Sequence, residues 1–496
     1  MENKTRACVQ HLSRRAAAGK LRRNTLSITN TEQKRAGLAH KRRQAGGLIL
    51  SLVVLILTPW TAGAQQSTSA ARTASARAAA DAARLVSEFE VNGLKVLVKR
   101  REGSQTVVAG LFMRGGSRNV TAENAGVEAL MLDVATEASA GFPREQMRRE
   151  LSRTGTGISY GVNYDYSVLT LGSTRRHFDR SWEIFTDAAL HPSFAPDDFA
   201  RLKNRLVVSL SGDKDVPDSY LQVLQSRIVY KNHPYLNDPR GTAESVARLT
   251  IEDVKRFHQN MMQTSRLLLV VVGDLDPKQL RRKIETTFAR LPRGDYRPSA
   301  PPPLVFSAQT VDVTTRRLPT NYVQGVFAAP TLNTPDIYPM RIAASILQGR
   351  VFAEVRVKRN LSYAPDAFLG SQAANIGGIY VTAVDANQAV RVMLEEIARL
   401  QTEEVSPEEL QATAQQFLTK HYLGQETNAA QAGDLAQAEL VGGGWRNSAA
   451  FLERLGAVTP AEVKRVANTY MRNIRFVVLG DPKSVDVRIF TGQAGS

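Results

Sequence analysis

An α+β fold of two duplicated halves, each a mainly antiparallel sheet covered by helices, is predicted by three features of the sequence. The first is a repeat. Thr250-Ile251-Glu252-Asp253-Val254-Lys255-Arg256 is echoed 209 residues later by Thr459-Pro460-Ala461-Glu462-Val463-Lys464-Arg465. Each copy opens like a helix, with a Thr N-cap and acids in the first turn. Each is followed by an apolar strand, Leu267 to Asp274 and Ile474 to Asp481, at an offset of 207. Chance accounts for one such pair; helix plus strand twice in register favours duplication. The second feature is Arg297-Pro298-Ser299-Ala300-Pro301-Pro302-Pro303, which suits neither helix nor central strand and reads as an extended linker over 297–303. The third is that strand alternation (Gly93 to Lys99) and long helical stretches (Ser406 to Leu423) come in blocks, the habit of α+β sandwiches.

In chain order, residues 1–64 read as a secretory signal with a long basic leader. Twelve Lys or Arg against two Glu precede Gly47, and then comes an apolar run of only ten residues, Leu48 to Leu57. A membrane span needs roughly 20 apolar residues. With Ala62-Gly63-Ala64 as the small-residue site, cleavage is expected after Ala64, giving a periplasmic protein. Retention as an N-terminal membrane anchor is the alternative, and a misassigned start codon is the plain reading of the leader's length. Residues 65–85, rich in Ala and Ser, read as a tether. The first half then spans 86–296 and the second 304–490.

The net charge of +17 invites a nucleic-acid reading, but the leader alone supplies +10 of it. The remainder is a mild excess on ordinary surfaces, so no nucleic-acid partner is expected. The only cysteine, Cys8, lies in the leader, which leaves the mature chain without disulfides or thiolate metal ligands. No G-x-x-x-x-G-K-S/T loop and no Gly-x-Ser-x-Gly elbow occurs. No two of the seven histidines are spaced as a local zinc clamp.

The stretch Gly116-Ser117-Arg118-Asn119, then Gly126-Val127-Glu128-Ala129-Leu130-Met131-Leu132-Asp133, resembles the G-S-R…G-L-A-H-F-L-E-H frame of the insulinase/pitrilysin zinc peptidases. Asn92 to Val98 looks like that family's opening strand, His233-Pro234-Tyr235 like a first-half loop, and Val355 to Tyr363 like its L-R-E-K-x-G-L-A-Y signature. The resemblance covers essentially the whole mature chain. A helix of H-x-x-E-H type works because positions i and i+4 grip one zinc while the Glu activates water. Here those positions are Ala129, Leu132 and Asp133, and no acid occurs between Ala200 and Ser211, where the third ligand is expected near Ser209-Leu210. No metal and no catalytic group is therefore expected in this chain. Asp133 and Glu137 are i,i+4 carboxylates, for which a polar helix face is the plainer reading than a hard-cation site.

The resemblance assigns substrate binding to Arg356 and Tyr363, which keep the seven-residue spacing of the family's pair. A surface Arg and a core Tyr are the plain alternatives. The usual Gly- and Ser-rich loop before this segment is expected to be reduced to Gln348-Gly349-Arg350. Gly157 and Ser159, in the small-residue strand Gly155 to Val162, are placed on a sheet edge to which a peptide adds. Together these imply the zinc-less, Arg/Tyr-bearing subunit of an exported two-subunit metallopeptidase. Its partner would be a zinc-bearing insulinase-like subunit, and its substrates unfolded peptides. The alternative is a non-enzymatic structural or peptide-holding protein of the same fold.

Overall fold

The computed structural model describes residue 81 and residues 83–492. The leader read over 1–64 and nearly all of the tether lie outside the described residues. Six strands form the first sheet: β1 (Val86–Val91), β2 (Leu94–Arg100), β3 (Thr106–Arg114), β4 (Gly157–Val162), β5 (Tyr166–Thr174) and β6 (Leu267–Gly273). Five form the second: β7 (Thr310–Thr315), β8 (Asn321–Ala328), β9 (Asp366–Leu369), β10 (Ile376–Ala383) and β11 (Arg475–Gly480). The strand orders are β1-β2-β6-β3-β5-β4 and β7-β11-β8-β10-β9. Only β2/β6 and β7/β11 run parallel. Without β1, the two sheets have the same order and the same strand directions, so the sequence repeat has a counterpart in three dimensions.

Local chemistry explains the elements. Asn92 and Gly93, with φ of 48° and 87°, make the two-residue turn that closes the β1–β2 hairpin. The repeated helices are Ile251–Met261 and Pro460–Tyr470, and both begin in a full capping box, Thr250 with Asp253 and Thr459 with Glu462. The repeated strands are central: β6 lies between β2 and β3, β11 between β7 and β8. Every residue of β6 is buried, which is why it reads as an unbroken apolar run rather than an alternating one.

Burial of both faces of β6 needs a cover on each side. On one side, helices of residues 127–288 pack over Leu111, Leu269 and Val271. On the other, Leu97, Phe112, Leu268, Val270 and Val272 meet Leu435, Ala436 and Trp445, from the helix Asn428–Leu440 and the turn after it. The second sheet is treated the same way. Leu221, on the helix Pro217–Val229, covers Val477 and Leu479. Each sheet is thus closed by a helix borrowed from the other half. The linker follows the seam: the His233 ring shares a hydrogen bond of 3.0 Å with the Pro302 carbonyl, and Phe306 packs with Tyr230, Tyr235 and Val326.

Candidate functional site

The degenerate motif folds as its intact counterpart would be expected to, into a short buried helix, Val127–Ala135. Gly126 starts it with φ of 91°, and a Cβ there would meet the Arg240 carbonyl oxygen at 2.6 Å, so only glycine fits. Ala129 and Leu132 are core residues, 3% and 1% exposed. Glu128, in the first turn, is also buried and hydrogen-bonded by Ser167; desolvation pushes its carboxyl up to about 7, although Ser167 and the nearby Arg266 charge draw it down.

Asp133 is not free. Its two oxygens accept from Arg205 Nη2 at 2.9 and 2.8 Å. Arg205 lies on the helix Pro196–Gly212, the element on which the third zinc ligand was sought. Near the position that the resemblance gives the third ligand, Leu210 is core, and the side chain that reaches the motif helix comes from the preceding turn. One turn along, Glu137 is met by Arg144, Arg148 and Arg201 at 3.5, 3.2 and 3.0 Å, and Asp198 by Arg144 and Arg201 at 3.1 and 3.0 Å. Asp133 and Glu137 are therefore arginine partners rather than a cation pair. These residues do not fit a zinc ion. A methyl and an isobutyl group offer no lone pair, and a guanidinium is a donor only. Among the described residues no group of three or more His, Cys, Asp or Glu is placed to hold a metal.

Strand β4 is the edge of the first sheet and pairs with β5 alone. Gly157 and Ser159 face outward and are exposed, and a Cβ on Gly157 would meet nothing within 4 Å. Ile158, Tyr160 and Val162 turn inward onto the core. The Tyr160 hydroxyl is pushed up to about 12 by burial and by the Asp133 carboxylate beside it, with the Arg205 charge opposing.

In the second half, the helix Ile337–Val351 runs on into a wider π-helical turn, Phe352–Lys358. Such turns are rare and recur at functional sites. Gln348-Gly349-Arg350 is therefore helix and not a reduced loop, and Arg350 is fixed by two hydrogen bonds of 3.0 and 2.6 Å to Glu409. Beyond it, Lys358 and Arg359 both pair with Glu354. Arg356 pairs with no carboxylate among the described residues. Its guanidinium lies 4.1 Å from the centroid of the Tyr363 ring and 5.0 Å from that of Phe352. Tyr363 is 80% exposed, so it is not the core aromatic that was the plain alternative.

Arg205 and Tyr160 were not found from sequence. Neither residue is an acid or a histidine, the residue types that a metal motif points to.

Comparisons with known proteins agree with this architecture. A family model described as "Insulinase (Peptidase family M16)" matches residues 95–235, and one described as "Peptidase M16 inactive domain" matches residues 248–417. An uncharacterized zinc protease of Rickettsia felis is 20% identical over 390 residues, 77% of this chain and 94% of that protein. The mitochondrial-processing peptidase subunit beta of Blastocladiella emersonii is 21% identical over 413 residues, 78% of this chain and 87% of that protein. A crystal structure of a peptidase M16 inactive domain from Pseudomonas fluorescens superposes with a TM-score of 0.72 at 19% identity, covering 80% of this chain and 98% of that one. The chain belongs to the insulinase family of peptidases, peptidase family M16.

Proposed function

We propose that this chain is the zinc-less subunit of an exported two-chain metallopeptidase, which holds unfolded peptides while a zinc-bearing insulinase-like partner cuts them. The observation that carries the reading is the Arg356/Tyr363 pair. A guanidinium stacked on an exposed phenol, with no carboxylate to neutralise it, is poised for a ligand. Arg offers a fixed fork of donors to a peptide carbonyl, and a Tyr hydroxyl stabilises a developing oxyanion. The likeness to a peptidase designated a beta subunit supports a two-chain assembly. The zinc belongs to the partner, since Ala129, Leu132 and Asp133 supply no site here. Gly157 and Ser159 would line the edge to which the peptide adds. The decisive experiment reconstitutes the chain with a zinc-bearing partner and follows cleavage of an unstructured peptide. No gain over the partner alone would sink the reading.

A second reading, a non-catalytic structural or peptide-holding protein, is favoured by the Asp133–Arg205 pair, which closes the old metal position. It predicts that Arg356 and Tyr363 can be replaced without kinetic effect. The apolar run of the leader supports export to the periplasm after cleavage at Ala64. No helix among the described residues is long and apolar enough to cross a membrane. N-terminal sequencing of the exported protein checks this: a first residue of Gln65 is expected, and recovery of the intact leader in a membrane fraction supports the anchor instead.

A further inference from the structure

The second half holds a cation without a partner and a cleft beside it. Among the described residues, the arginine side chains that lack both a hydrogen bond and a carboxylate are exposed, save Arg114, Arg341 and Arg356, which are half-buried. Arg356 belongs to the pair described above. Arg341 lies in the helix Ile337–Val351, on the order of 20 Å earlier at 1.5 Å per residue. It lines a cleft of about 360 Å³, walled by Ile337, Phe417 and Phe451 and shared with Lys420. The Arg341 guanidinium stands 5.3 Å from the centroid of the Phe451 ring, and the His421 ring stacks on that ring at 5.7 Å. The one carboxylate lining the cleft, Asp434, is already held: Ser448 Oγ donates to it, and Gln425 Nε2 does so at 3.3 Å. Arg341 makes no ion pair with it. Nor are the Arg341 nitrogens sealed in, as Nη1 of Arg350 and Nε of Arg475 are; they open onto the cleft. Burial draws the Arg341 pKa below its ordinary value, and Tyr338 and Asp434 oppose this only in part. A cation drawn half out of water without a partner is unfavourable, and an anion in the cleft relieves it.

We propose that this cleft binds a small monocarboxylate with an aromatic or branched apolar body. Charge selects the head group. Burial draws His421 down from its ordinary value, with Asp434 opposing and Lys99 adding, so its ring is neutral at pH 7. Arg341 and Lys420 against Asp434 then leave one positive charge, which one carboxylate balances and a phosphate dianion exceeds. The guanidinium fork also matches a carboxylate in geometry. The apolar wall of Ile337, Phe417 and Phe451 selects the body. Size selects a small molecule over a chain, since the volume stands at the lower end of the roughly 300–1,000 Å³ of ligand pockets. The inference does not rest on the peptide-holding function proposed above.

The test titrates the full chain with phenylpropionate, followed by saturation-transfer NMR at neutral pH and fixed ionic strength. A saturable signal with Kd on the order of 0.1–1 mM is expected for a ligand of this size. Phenylpropanamide, which keeps the body without the charge, and acetate, which keeps the charge without the body, should each bind about tenfold more weakly or worse. Arg341→Met keeps the stem and removes the donors, and should weaken binding of the acid about tenfold, the worth of one hydrogen bond to a charged group. Lys420→Met, at an exposed position, should weaken it about two- to threefold with an unchanged melting curve. Asp434→Asn keeps an acceptor for Ser448 and removes the opposing charge, so it should tighten binding. These opposite signs decide the matter even where Arg341→Met fails to fold. No saturable binding by the unsubstituted chain up to about 10 mM, well above the expected Kd, overturns the site. So does equal binding of the amide, or binding by folded Arg341→Met within about twofold of the unsubstituted chain. Weaker binding by a folded Asp434→Asn overturns the charge argument and the site with it.

Discussion

The two sheets share strand order, directions and a borrowed helix, yet the helices packed after β3 and β8 have been put to different ends. After β3, Val127–Ala135 is buried along its whole length, and its one polar side chain near the old metal position is tied to Arg205. After β8, Ile337–Val351 passes into a π turn that carries Arg356, half-buried against the exposed Tyr363 five residues beyond the turn. What the halves share is the frame: a central apolar strand, a capped helix, a covered outer face. Apart from the extra strand β1, the difference that bears on function lies in polar groups, buried in the first half and exposed in the second. The common frame can therefore be tested through stability, and the difference through binding and rate.

The largest effect should come from the exchanged helices. Trp445 is 3% exposed, lies on the first sheet although it follows the helix Asn428–Leu440, and donates its ring N–H to Glu88 at 2.8 Å. Truncation of a buried Trp to Ala costs about 3–5 kcal/mol, and of a buried Leu about 2–5 kcal/mol. Trp445→Ala and Leu221→Ala should both lower stability on that scale. Because each half lends a cover to the other, both variants should still unfold in one transition, seen alike by tryptophan fluorescence and by circular dichroism. A variant that melts in two steps would show that the halves stand alone and break the interlock.

Next comes the pair that sets the second half apart. Removing one oxyanion donor typically costs about 10²–10³ in turnover, or roughly 2.7–4 kcal/mol. Tyr363→Phe should slow cleavage by the reconstituted complex to that degree while leaving its elution volume and melting temperature unchanged. Arg356→Ala should raise KM more than it lowers kcat, since its proposed part is to hold the substrate backbone before attack. Full activity in a folded double variant leaves the scaffold reading in possession.

The first half carries its own signature in Glu128. An acid whose folded pKa stands at about 7, above the ordinary 4.5, binds its proton more tightly in the folded state. Its contribution to stability is fully present below about pH 4.5 and is lost as pH rises to about 7, then stays flat. The shift corresponds to roughly 3 kcal/mol. Glu128→Gln should flatten that window and leave the protein more stable at pH 8 than the unsubstituted chain. Urea unfolding at pH 5 and pH 8 measures both limbs. An unchanged pH slope in the variant would mean that Glu128 titrates normally.

How much of this was legible depends on whether the signal was local. The capped helices and strands β6 and β11 were readable because N-caps and unbroken apolar runs are written within ten residues. The edge position of β4 was expected from the family resemblance, and the sheet order agrees; the resemblance named Arg356 and Tyr363 as a pair but not the stacking of one on the other. The exchange of helices was not legible. An amphipathic helix states that it has an apolar face but not which sheet receives it. The Asp133–Arg205 pair was not legible for a related reason, since its partners are 72 residues apart and no local pattern joins them. Gln348-Gly349-Arg350 was misread as the remnant of the family's Gly- and Ser-rich loop, whereas these residues lie inside the helix Ile337–Val351.

The smallest expected effect is also the sharpest comparison, because it sets two copies of one device side by side. Thr250 accepts from Asp253 N at 3.2 Å, and Thr459 from Glu462 N at 3.3 Å; the return bonds from each Thr N to the acid are both 2.9 Å. Loss of such a cap costs about 1 kcal/mol. Thr250→Ala and Thr459→Ala should therefore destabilise equally, within about 0.5 kcal/mol, and their double variant should show the sum because the two caps share no partner. In a body of this size 1 kcal/mol moves the melting temperature by only about 2 °C or less, so urea midpoints at fixed pH are the better readout. The pH must lie well above the carboxylate range, since protonating Asp253 or Glu462 removes the return bond and makes the Thr contribution smaller. Equal losses would place the two caps in equivalent surroundings, as the matching sheets imply. A Thr459→Ala loss well below that of Thr250→Ala would instead credit Pro460, whose fixed φ at the first helical position already sets the start of the second copy and which the first copy lacks.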